Sequence, residues 1–216
     1  MATLLRNLTG KLLVPEPPNL PLAPMAYVQL HQNSHSNVLR LYFNRISGIL
    51  NALLGKEGGI YLSTPYAVFT SSSTQTAAVI NTAYPIYYDT TVISNDLSYP
   101  IANPSRVTAN KPGIYNFQFS LQLDKTAGAS GSIFIWPSVN GVAVPNSATK
   151  VTVQGTAAEC VAAWNFFVPM ISGDYFELYW STDDIRCVLL AEAAAPPVPS
   201  IPSVILTVLF ASGLPQ

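Results

Sequence analysis

The spacing of apolar residues changes character once along the chain. Over residues 37–54, NVLRLYFNRISGILNALL, the residues Leu39, Phe43, Ile46, Leu50 and Leu53 recur at steps of four, three, four and three. This is the seam of a heptad pattern and predicts one α-helix. Leu41 and Ile49 widen the apolar stripe, which suits a bundle better than a two-stranded coil. Ser36 or Asn37 can cap the start, and Gly55, Gly58 and Gly59 end it.

From about Tyr66 the period falls to two. In GIYNFQFSLQLD, Tyr115, Phe117, Phe119, Leu121 and Leu123 share one face, and Asn116, Gln118, Ser120 and Gln122 the other. SIFIWPSVNGVAV predicts a strand, an Asn140-Gly141 hairpin turn and a returning strand. KVTVQG and CVAAWNFFVPM follow as strands. Ser-Gly-Asp then turns into YFELYW, where Phe176, Leu178 and Trp180 oppose Tyr175, Glu177 and Tyr179. IRCVLLAE is a further strand, and a proline-rich connection leads to SVILTVLFA. The near-continuous apolar run of that last strand predicts burial on both faces. Eight to ten short strands at this spacing predict a mainly β, antiparallel jelly-roll sandwich.

Before the helix lies a different kind of segment. Pro15, Pro17, Pro18, Pro21 and Pro24 forbid regular helix or central strand. Leu12, Leu13, Val14, Leu20 and Leu22 stand among them, where a plain spacer would carry polar residues. The segment reads as an extended docking arm, with a strap over its own fold as the alternative. The expected organisation is an arm over 1–34, helix and linker over 35–60, and the sandwich over 66–216.

Charged residues make up 10% of the 216, against about a quarter in ordinary domains, so a large part of the surface is expected to meet other protein. Net charge is −1 with no basic run, which excludes a nucleic-acid footprint. The N-terminus reads as neither signal peptide nor membrane span, so no membrane partner is expected. Cys160 and Cys187 read as two free thiols, with one disulfide as the alternative. His31 and His35 stand four apart without a third ligand, in a stretch read as a loop before the helix. The sandwich segment contains no histidine, which removes a His-dependent triad from it. Asp183 and Asp184 read as a turn with a local ion pair to Arg186, and Lys150 or Arg186 as the partner of mid-strand Glu177. No catalytic residue, metal site or cofactor is expected.

Gly113–Phe119, Ser132–Gly141, Ala162–Trp180 and Pro202–Phe210 resemble, in order and spacing, the TNF-like jelly roll shared with the complement globular head. TQTAAVINTAYPI, QLDKTAGASGSIFIW, NSATKVTVQG and PSIPSVILTV resemble proteins of this fold from marine and cyanobacterial phages. The resemblance covers roughly residues 66–212 and implies a homotrimer whose inner sheets surround a threefold axis. Carried over, that sheet would bear Tyr115, Phe117 and Phe119, then Tyr175 and Tyr179 flanking Glu177, then Val204, Leu206 and Val208, as trimer-interface or core positions. It implies a virion component made in the host cytoplasm. Such a trimer would be anchored through its arm to capsid or tail proteins, as capsid decoration, cement or head fibre. The alternative is a short tail fibre or receptor-binding protein recognising a host surface glycan through aromatics such as Tyr87, Tyr88, Trp136 and Trp180.

Overall fold

The computed structural model describes residues 17–22, 24–54 and 64–214. The chain divides into two compact units, residues 1–63 and 64–215. Leu12, Leu13 and Val14 of the arm, and the Leu53 side chain of the helical seam, lie outside the described residues.

The first unit contains α1, Gln29–Leu54. It starts eight residues before Asn37, so the HQNSH stretch is helical and not a loop. No Gly or Pro interrupts residues 29–47, and the Gln32 N–H already donates to the Val28 carbonyl at 3.1 Å. Polar residues without apolar period conceal a helix start but do not prevent one. His31 and His35 therefore stack one turn apart, with ring centroids at 6.4 Å. Pro17 and Pro18 line one concavity with Val38, Leu41, Tyr42 and Arg45. Along the seam, Leu39 and Ile46 are half-buried, while Phe43 (59%) and Leu50 (47%) are open to solvent. Leu20 and Leu22 are exposed as well. No helix among the described residues is long and apolar enough to cross a membrane.

The second unit is an antiparallel jelly-roll sandwich. Its eight longer strands are β1 (Tyr66–Ser71), β4 (Thr90–Asn95), β7 (Gly113–Lys125), β8 (Ser130–Val139), β10 (Thr149–Gln154), β11 (Ala158–Met170), β12 (Tyr175–Thr182) and β14 (Val204–Ser212). Six shorter pieces complete the sheets: β2 (Gln75–Thr76), β3 (Tyr84–Pro85), β5 (Leu97–Ser98), β6 (Val107–Ala109), β9 (Val142–Ala143) and β13 (Cys187–Leu189). In the first sheet β11 pairs along the whole of one edge of β7. The other edge of β7 takes β14 and then β13. The order continues through β1 to β4, and β2 pairs β13. The second sheet runs β10-β8-β12-β6-β5, with β3 on β12 and β9 on β8. Asn140 and Gly141 both have positive φ, the type I′ geometry the hairpin signal requires.

The core lies between the sheets. Tyr115, Phe117, Phe119, Leu121 and Leu123 of β7 and Val204, Leu206 and Val208 of β14 are buried there. They face Phe176, Leu178 and Trp180 of β12 and Ile133 and Ile135 of β8. Phe117 stacks on Phe176 with centroids 3.8 Å apart and planes at 12°. Burying one such ring stabilises by roughly 1.5–3 kcal/mol. Tyr115 keeps its hydroxyl satisfied by reaching the rim, where it donates to the Lys111 carbonyl at 2.6 Å.

Two sheet assignments differ from expectation. The Gly-Asp-led strand β12 lies in the second sheet, opposite β7 and β14, because its Phe176-Leu178-Trp180 face is needed to cover theirs. Nor is β14 buried on both sides: Ile205 and Thr207 are half-buried and Leu209 is exposed.

Gly113 opens β7 where Phe210 crosses it, and a Cβ there would collide with the Phe210 ring. Gly113→Ala is expected to cost about 1–3 kcal/mol through overpacking. Gly213→Ala, at a site with nothing within 4 Å, should be neutral. Thermal melts of the two variants against wild type measure the difference.

Candidate functional site

Three features of the sandwich carry unusual chemistry: the two outward sheet faces and one buried ion cluster.

The outward face of the first sheet follows from register. With Phe117 and Phe119 turned inward, Asn116, Gln118 and Ser120 turn out, beside Phe167, Asn165 and Ala163 of β11 on one side and Leu209, Thr207 and Ile205 of β14 on the other. Tyr66, Val68 and Thr70 of β1 continue the same face. From Val161 to Pro169 of β11, from Ile114 to Gln122 of β7, and across β14 and β1, these outward positions include no Asp, Glu, Lys or Arg; Asp124 of β7 and its register partner Glu159 stand at the margin. Phe167 (63%), Val161 (58%) and Leu209 are exposed. Between them is a shallow depression of about 360 Å³ floored by Ser120, Ala163, Asn165 and Thr207. Asn165 Nδ2 donates to Asn116 Oδ1 across it at 3.1 Å. A large, uncharged, part-apolar face of this kind marks a protein contact surface.

The second sheet's outward face carries rings and charges instead. Trp136 of β8 and Tyr179 of β12 are register partners. Glu177, mid-strand on the same face, is 2% exposed. Its Oε1 accepts from Ser105 Oγ at 2.7 Å and lies 3.4 Å from Arg106 Nε, and Oε2 accepts from the Tyr179 hydroxyl at 3.4 Å. Arg106, not Lys150 or Arg186, is thus its cationic partner. A long loop brings Arg106 in before β6, at a distance in sequence no strand pattern reports. Burial, reinforced by the Glu177 charge, holds the Tyr88 phenol well above its ordinary range and raises that of Tyr179.

The third feature joins β7 to the loop after β12. Lys125 is fully buried and its ammonium pairs with Asp184. Arg186 holds the same carboxylate through Nε at 2.9 Å and a terminal nitrogen at 2.7 Å. Asp183 instead accepts the Ser132 N–H at 2.6 Å. The expected Asp184–Arg186 pair is present. Lys125 is the last residue of β7. Its position two residues after Leu123 was the available signal, since parity puts it on the inward face. Cys187 abuts this cluster and Cys160 lies across β7 from it; both thiols are free, and burial pushes both up.

Tyr115, Phe117, Phe119, Val204, Leu206 and Val208 are core residues, so the outward positions between them are the ones left to meet a partner. Tyr175 and Tyr179 belong to the other sheet and stay half-exposed on its outer face. Tyr88 and Trp180 are buried among core aromatics and cannot stack on a ligand, whereas Trp136 reaches the surface. Among the described residues, no group of three or more His, Cys, Asp or Glu gathers as a metal site would require.

No protein-family model matches the chain. No curated protein sequence matches it. Among solved structures, the globular domain of zebrafish complement 1qA protein is similar over 70% of this chain and 100% of its own, at 10% identity and TM-score 0.42. The crystal structure of murine APRIL at pH 8.0 is similar over 68% of this chain and 98% of its own, at 9% identity and TM-score 0.43.

Arg186 first, and Lys125 second, hold the Asp184 carboxyl well below the usual carboxylate range. A lowered folded-state pKa contributes stability above the unfolded value, about 3.9 for Asp, that is lost as pH falls below it. Chemical denaturation between about pH 5 and pH 2 should show wild type losing more stability than Asp184→Asn. Equal losses would mean the cluster contributes nothing pH-dependent.

Proposed function

We propose that this protein is a non-enzymatic structural component of a bacteriophage virion. It acts as a homotrimeric jelly-roll knob, attached to capsid or tail proteins by its N-terminal arm, as capsid decoration, cement or head fibre. The observation that carries the self-association is the uncharged outward face of β11, β7, β14 and β1. A monomer keeps charge on such a face to stay soluble. Four strands spaced about 4.8 Å apart, with about nine residues of β11, give a face of roughly 19 by 30 Å. That is the larger part of the roughly 800 Å² a partner contributes to a stable interface.

The virion placement rests on the resemblance of the strand and turn sequences to phage proteins of this fold, and on the character of the arm. Leu20 and Leu22 stand exposed in a proline-spaced segment, as side chains of a docking peptide do before they meet a partner. The low charge of the whole chain supports the same reading, since a particle component is covered largely by protein. A receptor-binding role at a tail fibre is favoured by one separate feature, the ring-lined outer face of the second sheet.

Light scattering on the full chain tests the assembly. The expected mass is that of three chains of 23.2 kDa each. The double variant Val161→Glu, Phe167→Glu, which puts charge on the outward face and touches no core residue, should run as a monomer that still unfolds cooperatively, at a melting temperature lowered by the loss of assembly. A monomeric wild type at micromolar concentration would overturn the proposal.

A further inference from the structure

A strip of rings runs along the outward face of β8 and β12. It extends about 20 Å, six residues of strand, from Phe134 opposite Ser181 to Tyr175. Trp136 and Tyr179 lie at its centre with ring centroids 6.1 Å apart and planes at 16°. All four aromatic side chains are half-buried, so each packs its body on the sheet and keeps part of its ring wet. A cation stands at each end: Lys150 Nζ is 5.6 Å above the Phe134 ring, and the Arg106 guanidinium is 4.5 Å above Tyr175. Between them Ser138, the register partner of Glu177, has a buried hydroxyl with no partner among the described residues.

The solvent-facing charges on the strip itself are the two cations, and the exposed Asp183 carboxylate stands beyond its Phe134 end. Glu177 is buried beneath Ser105 and Arg106. The rim carboxylates are engaged: Asp174 by Asn140 and the Ile171 N–H, Asp183 by the Ser132 N–H. Lys150 forms no ion pair with a carboxylate among the described residues. An incoming ligand therefore meets half-exposed rings, small hydroxyls and positive charge.

We infer that this strip binds an acidic saccharide. Ring faces and edges suit the C–H faces of pyranose units, and Lys150 and Arg106 suit a carboxylate or sulfate at either end. A strip of this length spans several sugar units and offers no deep aliphatic pocket of the kind that anchors a peptide side chain. The inference leans on the proposed assembly only for avidity: packing through the first sheet leaves the second facing outward, with one strip per copy.

The test uses full-length protein against immobilised polygalacturonate, dextran sulfate, neutral dextran and polyglutamate, with mass checked by light scattering. Retention on an acidic polysaccharide, and none on dextran or polyglutamate, is the expected result. Trp136→Ala and Lys150→Gln should each weaken it by about tenfold or more at unchanged mass. Lys150→Gln, an exposed change, keeps the test valid if Trp136→Ala folds poorly. Wild-type failure on both acidic polysaccharides, equal retention on polyglutamate, or wild-type affinity in Lys150→Gln overturns the inference. A monomer that binds the saccharide sinks the assembly and leaves the site standing; a trimer that does not bind sinks the site alone.

Discussion

Everything in the sandwich depends on the contact between β7 and β12 across its interior. The Phe117–Phe176 stack sits in the middle of it, flanked by Tyr115, Phe119, Leu178 and Trp180. Side chains alternate along a strand, so turning these rings inward leaves no freedom about what turns outward. Asn116, Gln118 and Ser120 go to one outer surface, and Tyr175, Glu177 and Tyr179 to the other. A one-residue slip in either strand would bury amides and expose phenylalanines. Both outer faces are thus consequences of the core, and both inherit their chemistry from residues the core did not take.

Those two faces divide the chemistry between them. One presents amides, hydroxyls, aliphatic side chains and the rings of Phe167 and Tyr66, with charge only at its margin, and is the face the proposed assembly would use. The other presents rings, cations and one sequestered carboxylate. Low total charge is consistent with this division, since the charges present are concentrated on the second sheet's outer side and at the sandwich ends.

The buried charges have a structural logic of their own. Glu177 and Lys125 each lose hydration on folding and recover part of it through Arg106 with Ser105, and through Asp184, respectively. Each pair ties a strand to a loop distant in sequence: β12 to the segment before β6, and β7 to the turn after β12. Removing one partner strands a charge in the interior, so these pairs pin where the loops lie even if their net stabilisation is small.

Much of this was legible in the residues. The period-two pattern of Tyr115–Leu123, the Asn140-Gly141 turn and the heptad spacing of Leu39–Leu50 each encode a local geometry, and each element formed where its pattern stood. Other features depended on residues brought together from far apart. HQNSH has no apolar period, so the true start of α1 at Gln29 left no trace in it. Nothing local told that β12 would face β7 across the core instead of lying beside it, or that Arg106 and not Lys150 would reach Glu177. Period and turn chemistry act within a few residues, and the sequence by itself determined the strands, the helix and the inward face of β7. Sheet order, the partner of each buried charge and the identity of the two open faces were decided only when distant segments packed, because burial is a property of the assembled sandwich and not of any one strand.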